Sequence, residues 1–174
     1  MRQVAASPPG RVGDGPPARG QSMRIALFEP DIPQNTGAIV RVCACFGVPL
    51  DIIEPCGFTF VARELRRAAL DYAPLAAVDR HESFAAFQAA RGRSRLVLIT
   101  TKARQHYSDF SFRCDDVLLF GREQAGVPQT VHAVADVRLR VPMRAAARSL
   151  NVAVTVGLVL AEALRQQGWP GGLV

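Results

Sequence analysis

Between Met23 and Gln167 the chain alternates short unbroken apolar runs with longer stretches whose apolar residues recur every three or four positions. Runs without alternation mark strands covered on both faces, and the recurring spacing marks helices with a buried stripe. Ile25-Ala26-Leu27-Phe28 opens the series as a strand that starts at Arg24 and stops at Glu29-Pro30. Pro33 is expected to keep the next residues in a loop. Ile39, Val40, Cys43 and Phe46 then predict a helix over residues 36–46, capped by Asn35 and ended by Gly47 and Pro49. Leu50-Asp51-Ile52-Ile53 predicts the second strand. A short basic helix over 63–70, a strand over 75–78 and a helix over 82–90, ended by Gly92, follow. Residues 95–101 read as the clearest strand of parallel type, with further strands over 116–120 and 137–141.

This order predicts an α/β fold: a mostly parallel sheet with helices on both faces. Ligands on such sheets sit beyond the carboxyl ends of the strands, which directs attention to residues 29–35, 100–102, 121–126 and 141–151. The last helix, expected over 149–167 with Ser149 as its cap, is unusual. Val152, Ala153, Val154, Val156, Leu158, Val159, Leu160 and Ala163 cover almost its whole circumference. Burial on nearly every side is therefore expected, in the protein's own core or against a second copy.

Composition narrows the partners. With 174 residues, 49% of them hydrophobic, the chain suits one domain. Lys and Arg outnumber Asp and Glu by 21 to 15, and Lys102 is the sole lysine. Arginine's planar fork suits phosphates, so the charge admits a nucleic-acid partner without requiring one. Cys43, Cys45, Cys56 and Cys114 form no CxxC pair and the histidines lack metal-ligand spacing, which points to a reduced, cytoplasmic protein without a metal. The apolar run over 150–161 is interrupted by Asn151 and Thr155, so no membrane span is expected. Residues 1–22, broken by prolines and glycines, are expected to be a disordered tail or to precede a true start at Met23; a basic arm contacting RNA through Arg2, Arg11 and Arg19 is the rival. The domain is then 23–174.

Three segments carry candidate chemistry. Asn35-Thr36-Gly37 opens the first helix, and Arg41 lies about one turn beyond Gly37, where it could meet a phosphate or a developing oxyanion. Gly121-Arg122-Glu123-Gln124-Ala125-Gly126 follows a strand directly. It is neither a dinucleotide fingerprint nor a Walker loop, yet its glycines can expose backbone N–H groups to an adenine or ribose. Glu123 either binds a ligand hydroxyl or ties down the loop. Ser149 and Asn151 begin the last helix, where unpaired N–H groups are available. His81, His106 and His132 stand in no catalytic triad and read as surface or core filler. Asp109, Asp115 and Asp116 are expected in a solvated turn rather than a metal cluster.

Together these segments resemble the SPOUT class of S-adenosylmethionine-dependent RNA methyltransferases, most closely the small tRNA 2′-O-methyltransferases that modify cytidine or uridine at wobble position 34. The resemblance runs through Leu27-Phe28-Glu29-Pro30-Asp31-Ile32-Pro33-Gln34-Asn35-Thr36-Gly37, Ile52-Ile53-Glu54-Pro55, Arg66-Arg67-Ala68, Phe120-Gly121, Val141-Pro142-Met143 and Ser149-Leu150-Asn151. It implies a C-terminal trefoil knot, a homodimer and a tRNA anticodon stem-loop as substrate. It places the cofactor against Ile99, Thr100, Gly121, Glu123, Val141, Met143, Ser149, Leu150 and Asn151, makes Arg41 and Asn35 catalytic, and offers Arg63, Arg66, Arg67 and Arg144 to RNA. DNA, membrane and metal are not implied. The chain departs from the family at Ala153 and Val154, where a serine and often an asparagine are common, at Ala161, where the nearest relatives carry an aromatic, and at Ala125, where they carry an arginine. The same chemistry at another tRNA or rRNA site, and a non-catalytic knotted RNA-binding protein, are the competing readings.

Overall fold

The computed structural model describes residues 22–59, 72 and 75–169. Residues 1–21 of the expected tail and the basic helix over 63–70, with Arg63, Arg66 and Arg67, lie outside the described residues. Among the described residues seven strands form one sheet: β1 (Arg24–Phe28), β2 (Leu50–Ile53), β3 (Val78–His81), β4 (Leu96–Ile99), β5 (Gln105–His106), β6 (Val117–Phe120) and β7 (Val137–Arg140). Their spatial order is β3-β2-β1-β6-β4-β7-β5, and every pairing is parallel. The central strands β1, β6 and β4 are buried along their whole length, as their uninterrupted apolar runs require.

Alternate residues of these strands feed two cores. On one face Ile25, Leu27, Leu118, Phe120, Val97 and Ile99 meet α1 (Pro33–Phe46) and the C-terminal helix. On the other, Ala26, Phe28, Leu96, Leu98, Val117 and Leu119 meet α2 (Phe84–Arg91) and α3 (Gln129–Val134). The C-terminal helix, α4 (Val152–Gln167), packs beside α1.

Several boundaries correct the sequence reading. Pro33 does not hold a loop; it is the first residue of α1, where its missing N–H costs nothing and its fixed φ suits the helix. Asn35 is therefore inside the first turn, and Ile32 occupies the cap without a side-chain bond. Gly47 closes α1 at φ 63°, in the left-handed region. β3 begins three residues later than expected because pairing of Leu50 with Val78 brings Asp79 and Arg80 into an edge strand with solvated side chains. Ser83 caps α2 by accepting from the Ala86 N–H at 3.1 Å. Sequence periodicity missed α3 and the two-residue edge strand β5, both too short to show a repeat. Asp116 is fully buried, not in a solvated turn: Arg95 forks onto its two oxygens at 2.7 Å each. His81 is core, its ring nitrogen 2.7 Å from the buried carboxylate of Asp51, which also takes the guanidinium of Arg24.

The last helix is covered by its own chain on one side. Val156, Val159, Leu160, Ala163 and Leu164 are buried, but Val154 and Leu158 are 50% and 42% exposed, next to Leu150 at 40%. Apolar cover is complete on one side only.

Candidate active site

The carboxyl ends of β1, β4, β6 and β7 leave four loops around one cavity of about 600 Å³. Ile99, Phe120, Val141 and Leu150 give it apolar walls, while Thr100, Glu123, Ser149 and Asn151 bring polar atoms to the same space. Gly121 and Met143 complete the set of positions expected at a cofactor, all of which line this cavity. Asn35 lines it too.

Hydrogen bonds fix the polar side. Glu123 accepts from the Asp31 backbone N–H at 2.8 Å through one carboxylate oxygen and from Asn35 Nδ2 at 3.0 Å through the other. Asn35 Oδ1 accepts from Asn151 Nδ2 at 2.9 Å. Asn151 Oδ1 in turn accepts from the N–H groups of Ala153 and Val154, so Asn151, not Ser149, caps α4. The expectation for Ser149 was wrong by two residues because either side chain has the right chemistry, and only the turn before the helix decides which one it reaches. Glu123 ties down its loop through these bonds and stands on the cavity wall as well.

Gly121 is required sterically. The turn after β6 folds back so that the Arg122 N–H donates to the Gly126 carbonyl at 3.0 Å and the Gly126 N–H returns to the Arg122 carbonyl at 2.9 Å. A Cβ at Gly121 would lie 2.6 Å from the Gly126 carbonyl carbon, and Gly126 itself has φ 69°. The two glycines thus let the backbone double back and border the cavity. At another part of the wall His132 is buried, and desolvation, then Lys102 and Arg138, push its pKa down.

An apolar slot with a few converging polar groups and exposed backbone edges fits a nucleoside-type cofactor. Residues 22–161 match the SpoU rRNA Methylase family. The chain belongs to that family. It is 57% identical over 147 residues to the tRNA (cytidine(34)-2′-O)-methyltransferase of Beijerinckia indica, covering 83% of this chain and 91% of that one. Among solved structures, one concerned with the 2-OH methylation of C/U34 on tRNA superposes with a TM-score of 0.80 at 40% identity, covering 85% of this chain and 97% of that one. An AdoMet-bound rRNA methyltransferase from Sinorhizobium meliloti superposes with a TM-score of 0.73 at 28% identity, over 83% of this chain and 56% of that one.

Within this SpoU family fold, Arg41 stands apart from the other expected site residues. It is exposed on α1, its guanidinium 4.8 Å from the centre of the Tyr72 ring, and is not among the residues lining the cavity of its own chain. Arg144 is exposed on the loop after β7 and is likewise not in the lining. The sequence reading missed Lys102, His132, Arg148 and Thr155 as lining residues. It also left Arg122 without a role, although the residue lies inside a loop already singled out. Residue spacing alone carried no sign that its side chain crosses to the loop after β1.

Proposed function

We propose that this chain transfers a methyl group from S-adenosylmethionine to the ribose 2′-hydroxyl of nucleotide 34 of tRNA. What carries the reading is the 57% identity with a relative of that stated activity, beside a family match over residues 22–161 that contains every cavity loop. Bound S-adenosylmethionine supplies a methyl already activated on a sulfonium. The protein's task is then alignment and easing the loss of a proton from a weak acid. Ile99, Val141 and Leu150 would enclose the adenosyl portion, with Thr100, Gly121, Met143, Ser149 and Asn151 at its edges. Asn35 and Glu123, held by each other, fix the polar end.

Arg41 is assigned electrostatic stabilisation of the developing alkoxide and phosphate positioning, because a guanidinium offers five N–H donors and no acceptor and so suits holding an oxyanion better than taking its proton. Its place outside its own chain's cavity makes that role depend on a second copy. The homodimer is supported by Val154 and Leu158, bare apolar side chains spaced four residues apart so that they share one side of α4. A copy seated on that side also lies beside α1, which packs against α4 and carries Arg41. The reading brings with it a trefoil knot in the C-terminal part of the sheet and a cytoplasmic location.

RNA is supported by charge. Lys102, Arg104, Arg138, Arg140, Arg144 and Arg148 lie on two neighbouring segments, 100–106 and 137–150, that contain no Asp or Glu. None has an ion-pair partner among the described residues. Such unpaired cations beside a cavity suit a phosphate backbone, and the 2′-hydroxyl target selects RNA over DNA.

The test is incubation of the full chain with methyl-labelled S-adenosylmethionine and total tRNA, followed by mapping of the labelled nucleotide. Label on the ribose of nucleotide 34 is expected. Label elsewhere would move the assignment to another RNA site, and RNA binding without transfer would make the protein a non-catalytic binder.

A further inference from the structure

We propose that Arg122 is a positioning residue for cofactor binding, acting through Asp31 and Glu29 on the loop that leads into α1. The inference rests on the cavity being an S-adenosylmethionine site.

The side chain starts from a fixed point. Arg122 follows Gly121 at the end of β6, and its backbone is bonded in both directions to Gly126. From there its guanidinium crosses to the loop after β1. Nε and Nη2 donate to Asp31 Oδ1 at 3.1 and 2.6 Å, and Nη1 donates to Glu29 Oε2 at 3.2 Å. One fork thus holds two carboxylates two residues apart.

The loop it holds needs holding. Glu29 has φ 44°, in the left-handed region that residues with a Cβ avoid. Asp31 is enclosed on its other sides: its N–H donates to Glu123, and a Cβ on Gly57 would fall 2.9 Å from its Oδ1. Hydrogen bonding from Arg122 keeps the Asp31 carboxyl below the usual carboxylate range, against a desolvation that pushes upward.

The clasp reaches the cavity in one step. The Glu123 carboxylate that accepts from Asp31 also accepts from Asn35, and Glu123, Asn35 and Arg122 all line the cavity. Without the guanidinium, the carboxylates of Glu29 and Asp31 would lose their shared cation beside Glu123, which accepts from the Asp31 N–H. Mutual repulsion then opens the loop and carries Glu123 and Asn35 out of register. The rival role for an arginine on this wall is direct contact with RNA phosphate, which would act on the other substrate.

The experiment compares wild type, Arg122→Ala, Arg122→Lys, Asp31→Asn and the Arg122→Ala/Asp31→Asn double variant of the full chain. It reads S-adenosylmethionine affinity by calorimetry, KM for each substrate and kcat by steady-state methylation, and Tm. For Arg122→Ala we expect about a tenfold loss of cofactor affinity, a matching rise in KM for S-adenosylmethionine, and kcat and KM for tRNA within about twofold of wild type. Arg122→Lys should recover only part, since an ammonium cannot fork. The double variant should be no worse than its weaker parent, because the two side chains act as one unit. A lowered Tm with unchanged KM values, a rise in KM for tRNA alone, or additive losses in the double variant would overturn the assignment. Should Arg122→Ala fail to fold, the near-isosteric Asp31→Asn breaks the same clasp, and unchanged cofactor affinity in that variant would overturn the assignment equally. Wild type that binds no S-adenosylmethionine would remove the functional reading, whereas wild-type binding with unaltered variants removes only the role of Arg122.

Discussion

Asn151 donates from Nδ2 to Asn35 Oδ1 across 2.9 Å, joining the cap of α4 to the first turn of α1 over a separation of 116 residues. The same Asn151 amide accepts, through its oxygen, from the helix N–H groups of Ala153 and Val154. Asn35 in turn donates to Glu123, which orients both amides: turning Asn35 over would aim its oxygen at a carboxylate. One short chain of bonds therefore links the loops after β1 and β6 to the helix that closes the fold.

That chain separates capping from site geometry. Asn151→Asp keeps an oxygen for the helix N–H groups, and a carboxylate is at least as good a cap. It replaces the donor to Asn35 with an acceptor, so cofactor affinity should fall while Tm stays near wild type. Asn151→Ala loses both functions and should also destabilise the fold by about 1 kcal/mol. Thermal melts paired with calorimetric titration of S-adenosylmethionine check the pair, and wild-type affinity in both variants would show that the Asn35 bond is idle.

Arg41→Ala should leave cofactor affinity nearly unchanged, since Arg41 is exposed beside Tyr72 and does not line the cavity of its own chain. Turnover on tRNA should drop at least a hundredfold, the scale on which removal of a group that stabilises developing charge acts. Calorimetry and a steady-state assay measure the two effects separately. A variant that turns over normally would end the role given to Arg41.

What the sequence could and could not reveal follows from the range of each interaction. Apolar runs such as Leu96–Ile99 and Val117–Phe120 are local and specify buried parallel strands by themselves, so the layered α/β order and the four loops at the carboxyl ends were readable. Cap positions were not. Asn35 and Ser149 both have capping chemistry, but Pro33 moves the start of α1 and Asn151 takes the α4 cap because its amide is also held by Asn35. The Arg122 clasp joins residues 91 and 93 positions apart, and no periodicity reports contacts of that length. Asp116 read as a solvated turn because its partner Arg95 stands 21 residues away, at the start of the neighbouring strand.

Two leucines test the bare apolar side of α4. Leu160 is fully buried in the core shared with α1, and Leu160→Ala should cost about 2–5 kcal/mol in folding stability. Leu158, two residues earlier and 42% exposed, points away from that core. Leu158→Arg should leave the secondary structure of each chain intact and shift the protein from dimer to monomer in sedimentation. It should also abolish methyl transfer if Arg41 serves the neighbouring copy's cavity. A Leu158→Arg protein that remains dimeric would place the interface elsewhere.

Acid should weaken the C-terminal helix through Glu162. Its carboxylate accepts from Arg165 Nε and Nη2 at 2.8 and 2.9 Å and from Gln166 Nε2 at 2.8 Å, and these bonds, Arg165 foremost, lower its pKa from 4.5 to about 2. A depressed carboxylate pKa means that its contribution is complete above about 4.5 and drains away as pH falls towards 2. The loss spreads beyond the exposed pair because Gln166 also donates to the Phe110 carbonyl and accepts from the Phe112 N–H, both at 3.0 Å. Glu162→Gln keeps an acceptor without a titrating charge. Its Tm should fall below that of wild type at neutral pH and converge with it on acidification, with the gap narrowed by salt because the pair is exposed. Parallel loss of Tm by the two proteins between pH 4.5 and 2 would assign acid sensitivity to other carboxylates.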